Sequence, residues 1–136
     1  MPKGQCLCGS VKLTINQPID TVHVCHCGMC LKWNGGPGMT IGYEGEPEIE
    51  GSEFITRFAS SEWAERAFCK QCATPLFYHL HSPSTYYLSA PLFEESKNAK
   101  MGTQIYIDCK PSYYNFVEKT PMLTEQDILN LFANKS

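Results

Sequence analysis

The sequence predicts a mainly β domain of short antiparallel strands that ends in a short helix, on two observations. Nine prolines and ten glycines cut the chain of 136 residues into brief segments, and most of those segments alternate apolar and polar residues between turn signals. The length fits one domain, residues 1–136, on a scale of roughly 100–200 residues per domain. An apolar fraction of 43% with 12% aromatics permits a packed core.

Val11-Lys12-Leu13-Thr14-Ile15 reads as a half-buried strand that Asn16-Gln17-Pro18 ends, and Thr21-Val22-His23-Val24 is a second strand running into Cys25. After Cys30, Asn34-Gly35-Gly36-Pro37-Gly38 is a turn-rich loop, followed by Met39–Tyr43 as a third strand and Glu44–Glu48 as a solvated acidic turn. Phe54–Phe58 and Ala67-Phe68 are strands around the polar stretch Ser60–Arg66, and Leu76–Leu80 with Tyr86–Ser89 forms a hairpin. Gln104–Asp108 adds one more strand. Helical character is confined to the tail: Thr124 can cap Gln126 or Asp127, the first turn is acidic, and Ile128, Leu131 and Phe132 share a face.

Charge and hydropathy remove two classes of partner. The net charge is −3, and the 11 lysines and arginines form no dense basic run, so the electrostatic footprint that a phosphate backbone requires is missing. No apolar run approaches the ~18 residues of a membrane span, and the segment Met1–Cys6 lacks a secretory apolar stretch. The expectation is a cytoplasmic protein with no nucleic-acid or membrane partner. In a reducing compartment, clustered cysteines indicate metal binding or catalysis before disulfides.

The eight cysteines occur as Cys6-x-Cys8, Cys25-x-Cys27-x-x-Cys30, Cys69-x-x-Cys72 and a lone Cys109. A C-x-x-C turn presents two thiolates to one tetrahedral ion, and a second short pair from elsewhere completes four ligands. Cys6, Cys8, Cys69 and Cys72 are therefore assigned to one closed, structural zinc. Cys25, Cys27 and Cys30 reach a second ion but supply only three thiolates, and an open fourth position is the mark of a catalytic zinc. Such an ion binds a thiolate or polarises a carbonyl oxygen. The reading is two zinc ions per chain. Gly28 is expected to help the chain fold back around the second. Disulfides are disfavoured by geometry and compartment. A redox role for Cys69–Cys72 lacks its strand-to-helix context, and iron–sulfur cysteine runs have other spacings.

The succession of the C-x-C pair, Cys25-His26-Cys27-Gly28-Met29-Cys30 and Arg66-Ala67-Phe68-Cys69-Lys70-Gln71-Cys72-Ala73-Thr74-Pro75-Leu76 resembles the glutathione-dependent formaldehyde-activating enzyme family, which includes the centromere protein V-like proteins. Gly4–Val11, Lys32–Pro37 and Ile105–Asp108 support the resemblance, which spans about residues 4–116. It implies a β-tent of coiled antiparallel sheets stapled by zinc, a structural zinc on Cys6, Cys8, Cys69 and Cys72, and a catalytic zinc on Cys25, Cys27 and Cys30. The implied activity is that of a carbon–sulfur lyase of the S-(hydroxymethyl)glutathione synthase type, acting on a small-molecule thiol such as glutathione and an aldehyde such as formaldehyde. Two departures stand out. Ala73 occupies a position where the family usually has glycine, and Asp108–Tyr114 replaces a stretch that usually carries tryptophan, with Tyr113 or Tyr114 in its place.

Other residues are weighed against structural roles. Arg57, Arg66 and Lys32 are candidates for a substrate carboxylate, against ordinary surface charge. His26 is a candidate second layer around the open site or a structural histidine. His23, His79 and His81 read as exposed or hydrogen-bonded strand residues. Cys109 reads as a buried thiol at a strand end, with a fourth-ligand role as the alternative, and Trp33 and Trp63 as core or pocket-wall aromatics. The rival to an enzyme is a zinc module with two structural ions and a surface for a protein partner.

Overall fold

The computed structural model describes residues 1–133. Among them run β1 (Lys3–Gln5), β2 (Lys12–Thr14), β3 (Thr21–Cys25), α1 (Gly28–Asn34), β4 (Gly38–Tyr43), β5 (Glu48–Glu50), β6 (Ile55–Phe58), β7 (Ala64–Cys69), β8 (Pro75–Leu80), β9 (Thr85–Ser89), β10 (Lys100–Ile105), β11 (Met122–Leu123) and α2 (Glu125–Ala133). The fold is mainly β with two helices, the second the expected short helix of the tail. One sheet has three strands in the order β1-β2-β5, and the other has eight in the order β11-β10-β3-β4-β9-β8-β7-β6.

Alternation in the sequence becomes the core. Val11, Leu13 and Ile15 are each fully buried and pack with Ile41, Phe77, Leu88 and Phe93. Burying each such side chain contributes about 1.5–3 kcal/mol. This cluster includes Cys6 and Cys69, so the inner face of the small sheet meets the large one where the first and last cysteine pairs converge.

Several expectations need correction. The architecture is not wholly antiparallel: β10 runs parallel to both β3 and β11. The strand expected over Gln104–Asp108 begins earlier and ends at Ile105, because Tyr106 takes a left-handed conformation (φ 54°) and Ile107–Cys109 winds into a 3-10 turn. Arg66, Glu65 and Ala64 belong to β7 rather than to a loop, and Glu48 starts β5 rather than ending a turn.

α1 lies where no helix was expected. None of its residues is buried, so it carries no apolar periodicity to reveal it. Its start is capped by Cys27, whose Sγ accepts from Cys30 N–H at 3.4 Å, in place of the usual Ser, Thr, Asp or Asn. Gly35 ends it with φ 72°, and its N–H bonds Leu31 O, the left-handed closure that glycine accepts without strain. Gly28 is an ordinary helical residue without positive φ, and a side chain there would meet nothing within 4 Å. It is not the pivot the sequence indicated.

In α2, Thr124 Oγ1 accepts from Asp127 N–H at 3.1 Å while Asp127 Oδ2 accepts from Thr124 N–H at 2.8 Å, a reciprocal cap. Of the expected apolar face, only Ile128 is buried; Leu131 and Phe132 remain about half exposed.

Candidate metal centres

The first centre joins two similar turns. Cys6 and Cys8 follow β1, while Cys69 ends β7 and Cys72 lies in the turn before β8. Their four sulfurs lie within 4.8 Å of one another, with Cys6 to Cys8 at 3.6 Å and Cys8 to Cys69 at 3.8 Å. Thiolates ~2.3 Å from a tetrahedral zinc are ~3.8 Å apart, so the donor set fits that ion. The residue after the second cysteine is left-handed in both turns, Gly9 at φ 79° and Ala73 at φ 65°. In each turn its N–H reaches back to the first cysteine's carbonyl, Gly9 to Cys6 at 3.0 Å and Ala73 to Cys69 at 2.6 Å.

Hydroxyl groups and burial set the charge on these sulfurs. Thr74 Oγ1 lies 3.1 Å from Cys72 Sγ and also accepts from Leu7 N–H at 3.2 Å, so it ties one turn to the other. That hydroxyl leads the effects that lower the Cys72 thiol to about 5, and Ser10, with Oγ 3.2 Å from Cys8 Sγ, leads those that lower Cys8. Burial pushes Cys69 up to about 11. A buried thiol that resists ionisation requires a cation at hand to become a thiolate.

Ala73 bears the strain that glycine avoids. Ala73→Gly is expected to stabilise the protein by up to about 1 kcal/mol, since relief of ~1–2 kcal/mol of left-handed strain outweighs the ~0.4–1 kcal/mol lost to glycine's freedom in the unfolded chain. A urea transition reads the change; a midpoint moved downward contradicts it.

The second centre is built at a single turn. Cys25 ends β3, Cys27 caps α1 and Cys30 lies within that helix, so the strand-to-helix reversal gathers three sulfurs within 4.8 Å. No further His, Cys, Asp or Glu among the described residues joins that group. Gly38, the partner of Cys25 in β4, allows the neighbouring strand past the cluster: a Cβ there would stand 3.4 Å from Cys30 Sγ. Arg66 projects from β7 with Nη1 and Nη2 at 3.7 and 3.6 Å from Cys30 Sγ. Its side chain is buried and lies over the Tyr78 ring, 4.9 Å from the centroid.

Cys27 is the thiol this cluster ionises first. Hydrogen bonds from the Cys25 and Cys30 sulfurs, then Cys30 N–H and the Arg66 charge, lower it to about 2 against the opposing effect of burial. The same sharing with Cys27 and Cys30 pushes Cys25 far up. Three crowded sulfurs with one negative charge form a donor set suited to a soft or borderline cation, and zinc fits it.

His26, between two of these cysteines, is fully buried. Its Nδ1 lies 2.6 Å from Tyr114 Oη and its Nε2 2.9 Å from Gln104 Oε1, while its N–H donates to Ile105 O at 3.0 Å. Both ring nitrogens are engaged, so His26 anchors the Cys25–Cys27 backbone to β10. Gln104 completes the link by donating Nε2–H to Thr120 Oγ1 at 3.2 Å. Sequence reasoning missed Gln104. Its one signal was a polar residue opening an apolar stretch, Gln104-Ile105-Tyr106-Ile107. Tyr106 was also missed as a neighbour of the cluster: burial, then the charges of Cys27 and Cys25, raise its phenol to about 12.

The remaining candidates lie elsewhere. Cys109 is half-buried in a 3-10 turn, not at a strand end; its sulfur is 4.0 Å from Glu125 Oε1 and it does not join the three-cysteine group. Arg57 bonds Glu65 and covers Phe77, and Lys32 is exposed. Trp33 stacks on Phe58 and meets the edge of Phe68, whereas Trp63 is 58% exposed and is not a core residue. His23 is exposed.

Residues 1–109 match a family model described as glutathione-dependent formaldehyde-activating enzyme. A relative from Schizosaccharomyces pombe, named as an uncharacterized lyase, is 34% identical over 128 residues, which is 93% of each chain. A crystal structure of a Rhodobacter sphaeroides protein has the same fold, with a TM-score of 0.60 at 18% identity over 73% of this chain and 98% of that one. The family match stops before Tyr114 and Thr120, the tail residues that reach His26 and Gln104. With 109 of 136 residues matched and all seven clustered cysteines inside the match, the chain belongs to the glutathione-dependent formaldehyde-activating enzyme family.

Proposed function

We propose that this chain is a zinc-dependent carbon–sulfur lyase-type enzyme that joins or splits a glutathione-like thiol and a formaldehyde-like aldehyde at Cys25, Cys27 and Cys30. The observation that carries the reading is the count of donors: three sulfurs converge there, against four in the other cluster. Family membership and the lyase-named relative support the reaction class. The chain would hold two zinc ions, a structural one on Cys6, Cys8, Cys69 and Cys72 and a catalytic one on the three-cysteine set. Among the described residues no helix is long and apolar enough to cross a membrane, and the reduced thiols the chemistry needs fit a cytoplasmic setting.

A zinc ion with a free position supplies Lewis acidity, lowering the pKa of a thiol or polarising a carbonyl. The chain's residues do the rest. In the joining direction the thiol sulfur forms a bond to the aldehyde carbon, the C=O π pair moves to oxygen, and the thiol proton ends on that oxygen; the splitting direction reverses each change. Arg66 places a fixed positive charge against Cys30, which would offset part of the negative charge of three metal-bound thiolates at this half-buried site. Tyr106, a protonated phenol at neutral pH like any tyrosine and electrostatically coupled to Cys27 and Cys25, would be the hydrogen-bond donor for the oxygen on which charge develops. His26, with both nitrogens occupied, holds the ligands' backbone and moves no proton.

Cobalt substitution tests the open position. Glutathione added to cobalt-loaded protein is expected to intensify the sulfur-to-cobalt band with saturation, equally in Cys109→Ser and not in Cys27→Ser. A spectrum indifferent to thiols at every concentration would remove the thiol-binding step and favour a non-catalytic zinc module.

A further inference from the structure

Outside the cysteine clusters, Glu65, His79 and His81 bring ligand atoms within 4.8 Å of one another. Strand register puts them there. Glu65 on β7 is the direct cross-strand partner of His79 on β8. Side chains alternate faces along a strand, so His79 and His81, two residues apart, emerge on the face that carries Glu65. His81 lies just beyond the end of β8 and extends the ladder one step, its N–H bonding Trp63 O at 2.9 Å. Arg66, the neighbour of Glu65, leaves β7 on the opposite face toward Cys30. The triad is therefore separated by the sheet from the three-cysteine centre.

The His79 ring is held in place. It stacks on Tyr86 with centroids 4.0 Å apart and planes 7° apart, and its Nε2 lies 2.9 Å from Ser84 Oγ. Nδ1 then faces Glu65 Oε1 at 3.5 Å, buried and without a hydrogen-bond partner among the described residues. His81 Nε2 lies 3.8 Å from the same oxygen. Ligands ~2.0–2.1 Å from a tetrahedral ion are ~3.4 Å apart, so these spacings close onto one ion with a small movement. An imidazole hydrogen-bonded through one nitrogen and left without a partner at the other is oriented as metal-bound histidines are, whose second nitrogen is fixed by a hydrogen bond.

We propose that Glu65, His79 and His81 form a metal site separate from the cysteine clusters, taking a borderline divalent cation of the zinc class through two imidazole nitrogens and a carboxylate oxygen. Hard cations such as magnesium prefer all-oxygen sites, and soft ones prefer the thiolates, so the nitrogen-rich triad selects the class between them. Arg57 Nη1 bonds Glu65 Oε1 at 3.0 Å and is the cation that balances this carboxylate in the structure. Its side chain is 39% exposed and turns to solvent when a divalent ion takes its place. Arg57 and the metal thus compete for one oxygen. The proposal stands independently of the lyase reading.

The test uses the full chain with its cysteine clusters loaded with zinc, titrated with cobalt(II). One further equivalent is expected to bind with the visible absorption of nitrogen and oxygen ligation and no sulfur-to-cobalt band. His81→Ala, at a side chain 47% exposed and so without threat to the fold, should weaken this binding by more than about tenfold, as should Glu65→Gln. Ser84→Ala, which removes the hydrogen bond to His79 Nε2 and leaves the stacking on Tyr86, should weaken it by roughly tenfold to a hundredfold. Arg57→Gln should tighten it. No cobalt uptake beyond the cysteine clusters, or uptake unchanged in His81→Ala and Glu65→Gln, overturns the proposal.

Discussion

Cys69→Ser is expected to leave no stably folded protein. The residue is fully buried at the end of β7, and its sulfur meets that of Cys8 from the segment after β1. A metal at this point ties residues some 61 positions apart in sequence and joins the small sheet to the large one. Structural zinc contributes on the scale of ~10–16 kcal/mol in small zinc peptides, against a typical domain stability of ~5–15 kcal/mol. Serine is a poor replacement for a thiolate ligand, so losing the ion removes a contribution as large as the whole margin. Circular dichroism and solubility read the outcome. A soluble Cys69→Ser protein with native dichroism and an unchanged melting point would show that the first centre is not what holds the sheets together.

Cys27→Ser is expected to behave in the opposite way, keeping the fold while reducing zinc from two ions per chain to one and catalysis to background. Cys27 is half-buried rather than buried, and its local structural task is to cap α1 by accepting from Cys30 N–H. Serine is among the best capping residues, so the helix start survives the exchange. The backbone on either side is held by His26, through Gln104, Tyr114 and Ile105 O, none of which depends on the Cys27 sulfur. What is lost is the thiol that ionises first, and with it the donor set for the second ion. Elemental analysis beside dichroism separates the cases: an unfolded Cys27→Ser, or one that retains both ions, would contradict the division of labour between the centres.

The two cysteine groups were legible because their members are written in short spacings. Cys25, Cys27 and Cys30 need only one turn to converge, and Cys69 with Cys72 needs only the tight turn between β7 and β8. Joining Cys6 and Cys8 to Cys69 and Cys72 followed from donor counting, and their sulfurs do come together. Strands with one buried face, such as Val11–Ile15, were equally clear from their alternation. Features set by long-range register were not. The parallel placement of β10 beside β3 depends on where the connecting chain returns, which no local pattern encodes. The buried pairing of His26 with Gln104 spans 78 positions, and Arg66 reaches Cys30 across 36. α1 escaped notice because a cysteine stands in for the usual capping residue and none of its residues is buried, while its closing Gly35 falls in a Gly- and Pro-rich stretch that reads as a loop. His79 and His81 looked like ordinary strand residues because the third member of their cluster, Glu65, belongs to another strand.

Catalysis at Cys25, Cys27 and Cys30 can be read from the rate at which glutathione and formaldehyde interconvert with S-hydroxymethylglutathione, followed by exchange spectroscopy with the zinc-loaded protein. The prediction is an exchange rate that rises in proportion to protein concentration, leaves the equilibrium position unmoved, and returns to background in Cys27→Ser. A rate equal to background at every concentration of protein carrying both ions would contradict it.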